Sequence, residues 1–231
     1  YRWGFFAIVC QVLGGLEASA RAGALLSLDF NRAPYAPPDR GGRWWDSFFE
    51  LNEWVPAGGP RGQPAHQIVI EDRYDLEVFA SLGRVLPLSH GRQQLSRLAL
   101  KHEILLAADV FAQASFPPDR IIGIHYRGTD KMGKEQPRIP YEFISDYVRR
   151  RFGGGRHLFI ATDEAAFLEH MRSVFPDHTV ATDSARSRSG EPLHLSARDA
   201  SRFAVGREAL IDCILLSKCS LLLRTESYLS R

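Results

Sequence analysis

The spacing of hydrophobic and polar positions divides the chain into an irregular first part and a regular second part. Between residues 5 and 24, apolar side chains recur at the spacing of one helix face, and residues 25–30 have the length and composition of a short strand. Residues 67–70 predict another strand, and residues 93–114 predict a long helix. The first part therefore predicts an α/β lobe with long loops.

A regular alternation of strand-like and helix-like segments follows Pro117 and Pro118. It predicts strands at residues 121–126, 156–161, 178–181 and 220–224, and helices at 140–151, 163–174 and 207–217. Strands that alternate with helices form parallel, doubly wound sheets. The sequence therefore predicts two lobes with parallel sheets: an N-terminal lobe at residues 1–118 and a Rossmann-like C-terminal lobe at 119–231.

Composition narrows the class of protein further. The net charge of +2 gives no strong attraction to nucleic acid or to a membrane surface, and three cysteines argue against a disulfide framework. We find no apolar run of the ~18 residues that span a bilayer and no signal peptide, so we expect a cytoplasmic protein. Because the chain starts without Met and stops just after a strand pattern, we expect trimmed ends and a truncated C-terminal lobe.

The segment 31–66 combines turn-forming residues with an aromatic cluster made of Trp44, Trp45, Phe48, Phe49 and Trp54. One interpretation is a small packed subdomain. The other is an acceptor-binding surface on which aromatic rings stack against sugars. This second interpretation places the acceptor side in the N-terminal lobe.

Candidate chemistry is densest directly after the strand at residues 121–126. Ligands of open α/β sheets bind just past the C-terminal ends of strands. Cations and carboxylates crowd into that position here, and together they suggest a bound phosphate and a reacting hydroxyl group: His125, Arg127, Thr129, Asp130, Lys131 and Glu135.

Two further loops are expected at the same edge of the sheet. One begins at Thr162 and Asp163, and the other contains Thr225, Ser227 and Tyr228. Asp212 lies on the preceding helix among apolar neighbours, where a carboxylate is costly unless it has a partner.

Each candidate also has a structural alternative. Arg127 and Asp130 could form an ion pair, Asp163 and Ser227 could cap helices, Asp212 could pair with an arginine, and His125 could be a core histidine. Neither the usual metal-ligand spacings nor a glycine-rich phosphate loop occurs.

Four motifs in order carry a resemblance to a known family. They are residues 122–135, Phe159-Ile-Ala-Thr-Asp-Glu164, residues 209–217 and residues 222–230. The first resembles a strand that ends in His-x-Arg-Arg-Thr-Asp-Lys with a later glutamate. This is the signature of the inverting GDP-fucose-dependent fucosyltransferases, which include α-1,6-fucosyltransferases and NodZ-like enzymes and are related to protein O-fucosyltransferases. The resemblance covers residues 120–231.

The resemblance implies a GT-B-like fold, GDP-fucose as donor, a hydroxyl acceptor, and neither a metal nor a cofactor. Carried over by position, Arg127 would contact the β-phosphate, Lys131 would offset the charge of the departing diphosphate, and Glu135 would be the general base. The donor site would also include His125 near base and ribose, Asp212 on the guanine edge, and Asp130, Thr162, Asp163, Thr225, Ser227 and Tyr228.

One departure from the family pattern is Gly128, which stands where the family often has a second arginine. Glycine does not replace a bidentate guanidinium. This departure leaves two alternatives open: a non-catalytic nucleotide or glycan binder, and a transferase that uses another nucleotide sugar.

Overall fold

The computed structural model describes residues 5–30, 35, 44–50, 67–71, 95–118, 120–129, 137–193, 199–225, 227 and 229. Contacts divide the chain into two compact units. The N-terminal unit comprises residues 1–101 and 199–203, and the C-terminal unit comprises residues 102–198 and 204–231. The predicted boundary after residue 118 differs from this division, because the helix His102–Ser115 groups with the C-terminal unit.

The N-terminal unit contains helix α1 (Phe5–Ala22) and two parallel strands, β1 (Leu25–Asp29) and β2 (Gln67–Glu71). These elements agree with the predicted helix and strands. Helix α1 ends where Gly23 adopts a positive φ of 61°, a conformation that glycine reaches without a steric penalty.

Helix α1 has 18 residues, which are enough, by length and composition alone, to cross a membrane. One such helix is weak evidence for a membrane span, since the core helix of a globular unit has the same length and composition. About two thirds of the helix (67%) is buried inside the protein, as in the core helix of a globular unit. The expected cytoplasmic location stays a prediction.

The aromatic side chains of residues 44–49 are packed inside the N-terminal unit. Trp44 is fully buried, and its ring stacks on Phe30 with centroids 5.3 Å apart. Trp45 is 4% exposed and stacks on Phe49 at 4.1 Å. Both tryptophans therefore fit the interpretation of a small packed subdomain, and their ring faces are not open to a sugar. Trp54 lies outside the described residues.

The predicted helix at residues 93–114 begins only at His102. Just before it, the Ala99 carbonyl accepts a hydrogen bond from the Glu50 backbone N–H at 2.7 Å, and the Lys101 backbone N–H donates to the Phe48 carbonyl at 3.0 Å. These hydrogen bonds pair the residues just before His102 with a distant backbone segment, so they do not join the helix. The helical periodicity of the sequence does not reveal such a partner.

The described residues of the C-terminal unit form a four-stranded, fully parallel sheet with helices on both faces. Its strand order is β5-β4-β3-β6. In chain order the elements are α2 (His102–Ser115), β3 (Ile122–Tyr126), α3 (Tyr141–Phe152), β4 (Leu158–Thr162), α4 (Ala165–Val174), β5 (Thr179–Val180), α5 (Asp199–Lys218) and β6 (Leu221–Arg224). The predicted alternation of strands and helices is confirmed. Helix α5 starts earlier than residue 207, since the residues before that point, among them Phe203, Ala204 and Val205, are compatible with a helix.

The two faces of this sheet carry different helices. Alternate residues of β3 and β4, among them Ile124 and Ile160, pack with Phe167 and Met171 of α4. On the opposite face, Phe159 and its neighbours pack with residues of α2 and α5. Every residue of β3 and β4 is buried, as expected for a central parallel strand.

The chain reverses its winding direction at β3. From β3 it proceeds outward to β4 and β5, and it then returns to the other side of β3 as β6. In open α/β sheets this reversal opens a crevice beyond the C-terminal ends of the two neighbouring strands. The loops that begin at Arg127 and Thr225 lie at that crevice.

Candidate functional site

Asp163, just after β4, holds the loop that follows β3. Its Oδ1 accepts a hydrogen bond from the Gly128 backbone N–H at 2.8 Å, and its Oδ2 accepts one from the Thr129 hydroxyl at 2.5 Å. Nη1 of Arg127 lies 2.9 Å from the same Oδ2. Because the Asp163 side chain is only 8% exposed, these charge-assisted contacts are largely removed from water.

The capping alternative for Asp163 does not fit this arrangement. The N-cap position of α4 is occupied by Glu164, whose side chain makes no capping hydrogen bond. The carboxylate of Asp163 instead reaches back to the loop after β3. The structure thus brings the first two predicted loops together.

The loop after β6 reaches the same place through Thr225. The Thr225 hydroxyl accepts a hydrogen bond from the Arg127 backbone N–H at 2.9 Å. The backbone N–H of Thr225 donates to the His125 carbonyl at 3.0 Å. Thr225 is buried. All three predicted loops therefore converge on Arg127 at the C-terminal edge of the sheet.

Glu164 occupies the space that a side chain at residue 128 would need. A Cβ atom on Gly128 would lie 2.0 Å from Oε2 of Glu164 and 2.8 Å from its Cδ. Oε1 of the same carboxylate pairs with Nη2 of Arg138 at 2.7 Å. A second arginine in the family pattern would therefore collide with Glu164 in this chain.

Two tyrosines anchor the segment around Arg138. The Tyr126 hydroxyl donates to the Ile139 carbonyl at 3.0 Å. Burial raises the pKa of Tyr126 to about 12, and the nearby Glu164 carboxylate contributes to a smaller extent. The Tyr141 hydroxyl accepts from Arg138 at 2.9 Å, and burial is the main cause that raises the pKa of Tyr141. Both tyrosines therefore stay protonated at neutral pH.

His125 is buried in β3 and uncharged at neutral pH. Burial lowers the pKa of His125 to about 4; the Asp163 carboxylate opposes this shift, and the Arg127 guanidinium adds to it. A neutral imidazole can both donate and accept a hydrogen bond, which suits contact with a nucleoside better than contact with a phosphate. The core-histidine alternative is equally compatible with its burial.

Asp212 lies in a second polar cluster beside the end of β5. Its Oδ1 accepts from the Thr182 hydroxyl at 2.8 Å, and its Oδ2 accepts from the Ser184 hydroxyl at 3.4 Å. Burial raises the pKa of Asp212 to about 6, against the opposing effects of Thr182 and the nearby Arg186. Arg186 itself donates to the carbonyls of Ser184 and Thr182.

The remaining predicted residues divide into two groups. Thr162 is buried, and its hydroxyl accepts from the Glu164 backbone N–H at 3.1 Å. The Ser227 hydroxyl accepts from the Leu229 backbone N–H at 3.3 Å, a local turn contact that fits its capping alternative. The second group lies outside the described residues and stays predicted: Asp130, Lys131, Glu135 and Tyr228.

Sequence reasoning missed several side chains that shape the site. Thr182 and Ser184 follow a strand of only two residues, and Arg138 precedes a helix without any motif around it. Glu164 was visible beside Asp163, but its contact with Gly128 was not. Among the described residues, no group of three or more histidine, cysteine or acidic side chains is placed to hold a metal ion.

Comparisons with known proteins identify the fold. No protein-family model and no curated protein matches the chain. A crystal structure of NodZ α-1,6-fucosyltransferase co-crystallised with GDP aligns with a TM-score of 0.65 and 18% identity, over 100% of this chain and 88% of that one. A NodZ crystal soaked with GDP-fucose gives 0.67 and 18% over the same shares, and NodZ from Bradyrhizobium gives 0.65 and 17% over 100% and 89%.

The structural neighbours are GT-B fucosyltransferases, and the prediction of an α/β fold of the GT-B type with parallel sheets is confirmed. At 17–18% identity the likeness concerns the fold. Substrate and reaction are argued from the site instead.

Proposed function

We propose that this chain is a glycosyltransferase that moves fucose from GDP-fucose to a hydroxyl group of a glycan or another acceptor. The observation that carries the proposal is the convergence of three loops on Arg127, at the point where the sheet reverses its winding. The motif at residues 122–135 and the fold likeness to proteins crystallised with GDP and GDP-fucose favour a GDP-sugar as the ligand.

The reaction is a single displacement with inversion at the sugar's anomeric carbon. Negative charge develops on the departing diphosphate, and fixed cations at that position stabilise the transition state. Arg127 supplies one cation, and its guanidinium is oriented by Asp163 at 2.9 Å. Lys131 is proposed as the second cation, which makes a metal unnecessary.

The acceptor hydroxyl must lose a proton as it attacks. A carboxylate within hydrogen-bond reach on the opposite face of the sugar can accept that proton. Glu135 has this role in the proposal, because it lies eight positions after Arg127 at the offset found in the resembling family.

Asp212 is proposed to recognise the guanine base. Guanine presents N–H donors that a carboxylate can accept, and each carboxylate oxygen has two lone pairs. Thr182 and Ser184 use one position on each oxygen, so further acceptor capacity remains. His125 and Thr162 would complete the nucleoside side of the donor site.

The first test is calorimetric titration of GDP, GDP-fucose and UDP without metal. We expect GDP and GDP-fucose to bind and UDP to bind at least tenfold more weakly, and we expect Arg127→Ala to lose roughly ten- to hundredfold in GDP affinity. Arg149→Ala on the exposed face of α3 is the matched control, since Arg149 is 54% exposed and pairs with Asp146. If folded protein binds no nucleotide, the proposal is wrong.

A second test separates the transferase from the non-catalytic binder. Glu135→Gln should keep GDP affinity and lose most of the fucose transfer measured with a panel of glycan acceptors. If the unaltered protein binds GDP-fucose but transfers nothing to any acceptor, the binder alternative gains support. Preference for a different GDP-sugar in the same titrations would favour the other-donor alternative.

A further inference from the structure

Arg138 is a half-exposed cation at the edge of the candidate site. Its side chain is 55% exposed. Nη2 donates to the Glu164 carboxylate at 2.7 Å and to the Tyr141 hydroxyl at 2.9 Å, and the guanidinium lies 5.6 Å from the Tyr141 ring centroid. A guanidinium has five N–H donors. Three of them have no partner within the part of the chain that the structure describes.

Glu164 connects this cation to the loop after β3. One carboxylate oxygen, Oε1, pairs with Arg138, and the other, Oε2, occupies the position that a side chain at residue 128 would take. The guanidinium of Arg138 is therefore separated from Gly128 by a single carboxylate group. Arg138 lies at the far end of the same β3–α3 loop that begins with Arg127.

The burial of Glu164 argues that this arrangement is more than a surface ion pair. Glu164 is 6% exposed, and its Oε2 is buried without a hydrogen-bond partner among the described residues. A buried acceptor without a partner is unfavourable and calls for an explanation. A simple ion pair at the surface would not require one oxygen to be pressed against the backbone of a site loop.

We propose that Arg138 is a specificity-determining residue that binds the diphosphate of the nucleotide sugar together with Arg127. Glu164 holds the Arg138 guanidinium in place before the ligand arrives, which lowers the entropy cost of binding. The chain thus supplies, from the other end of the same β3–α3 loop, the guanidinium that Gly128 cannot carry. This inference rests on the proposed function.

The test compares Arg138→Ala with the unaltered protein by calorimetry, using GDP, pyrophosphate and guanosine as separate probes. We expect the affinity for GDP and for pyrophosphate to fall roughly ten- to hundredfold, and the affinity for guanosine to stay unchanged. Arg138→Lys should be intermediate, since it keeps the charge but not the planar set of donors. Arg150→Ala, at a side chain that is 83% exposed on α3, is the control.

A compensating variant tests directly whether an arginine at position 128 can replace Arg138. Glu164→Gly removes both the carboxylate and the Cβ atom that would lie 2.0 Å and 2.9 Å from a Cβ on residue 128. Adding Gly128→Arg and Glu164→Gly to Arg138→Ala should therefore restore much of the GDP affinity that Arg138→Ala removes. This triple variant must fold, as judged by thermal unfolding. If it then binds GDP no better than Arg138→Ala does, an arginine at position 128 does not replace Arg138.

Two results would overturn the inference while leaving the proposed function intact. One is a folded Arg138→Ala protein with unchanged GDP affinity. The other is an equal loss for guanosine and GDP, which would indicate a structural role only. Absence of GDP and pyrophosphate binding in the unaltered protein would overturn the proposed function as well.

Discussion

Asp163 contacts more groups of the candidate site than its position in a sequence motif suggests. One buried carboxylate accepts hydrogen bonds from a backbone N–H and a hydroxyl and also pairs with Arg127. Removing it would take this acceptor away from a backbone N–H, a buried hydroxyl and a partly buried cation. The residue therefore affects both the stability of the loop and the orientation of Arg127.

We expect Asp163→Ala to lower the free energy of unfolding by about 2–4 kcal/mol, because breaking a buried pair leaves uncompensated polar groups. Urea denaturation followed by circular dichroism measures the change. Asp146→Ala is the control, since Asp146 pairs with arginines on an exposed helix face and should change stability by less than about 1 kcal/mol. Equal effects of the two substitutions would argue against a central role for Asp163.

At the scale of elements, the packing of α5 against β3 depends on a glycine. A Cβ atom on Gly123 would lie 3.0 Å from Sγ of Cys219 and 3.0 Å from Cδ2 of Leu216. Such distances are tighter than ordinary van der Waals contact, and protein interiors have little free volume to absorb them. Leu216 of α5 and Cys219, which follows α5, therefore lie close to the backbone of β3.

We therefore expect Gly123→Ala to destabilise the protein by about 1–3 kcal/mol through overpacking. Gly154→Ala is the matched control, since no atom lies within 4 Å of the added Cβ and the glycine does not have a positive φ. Thermal unfolding of both variants makes the comparison. A Gly123→Ala protein as stable as the unaltered chain would show that α5 moves away at little cost.

At the scale of the whole molecule, His125 and Asp212 oppose each other as the pH changes. The pKa of His125 is about 4 in the folded protein and 6.5 normally, so its contribution to stability is lost as the pH falls from 6.5 to 4. The pKa of Asp212 is about 6 against a normal 3.8, so folding becomes more favourable as the pH falls from 6 to 3.8. The two effects therefore have opposite signs between about pH 4 and pH 6.

Asp212→Asn should expose this balance. The amide keeps an acceptor for Thr182 but removes the buried charge. We therefore expect the free energy of unfolding of the variant to exceed that of the unaltered protein by about 1–3 kcal/mol at neutral pH, and the two values to be equal near pH 4. Chemical denaturation of both proteins across this range measures the difference. A difference that stays constant with pH would contradict the raised pKa of Asp212.

Much of the fold follows from local patterns that the sequence contains in full. Buried parallel strands appear as short apolar runs, and helices appear as 3.6-residue periodicity, so the order of elements from β3 to β6 was predictable. The helix that starts at His102 was predicted too long, because its upstream residues bond to a distant backbone segment. Periodicity reports which face is apolar and gives no information on such partners.

The sequence by itself determined the strand-to-loop motif around Arg127, the placement of Asp163 and Thr225 after neighbouring strands, and hence the class of site. Only the tertiary structure decided how these residues pair, that Trp44 and Trp45 are core residues, and that Glu164 fills the space above Gly128. The physical reason is that loop side chains find partners across the sheet edge, where separation along the chain does not report distance. Charge and steric exclusion act through space, and so the position of Glu164 between Gly128 and Arg138 becomes visible only in the folded chain.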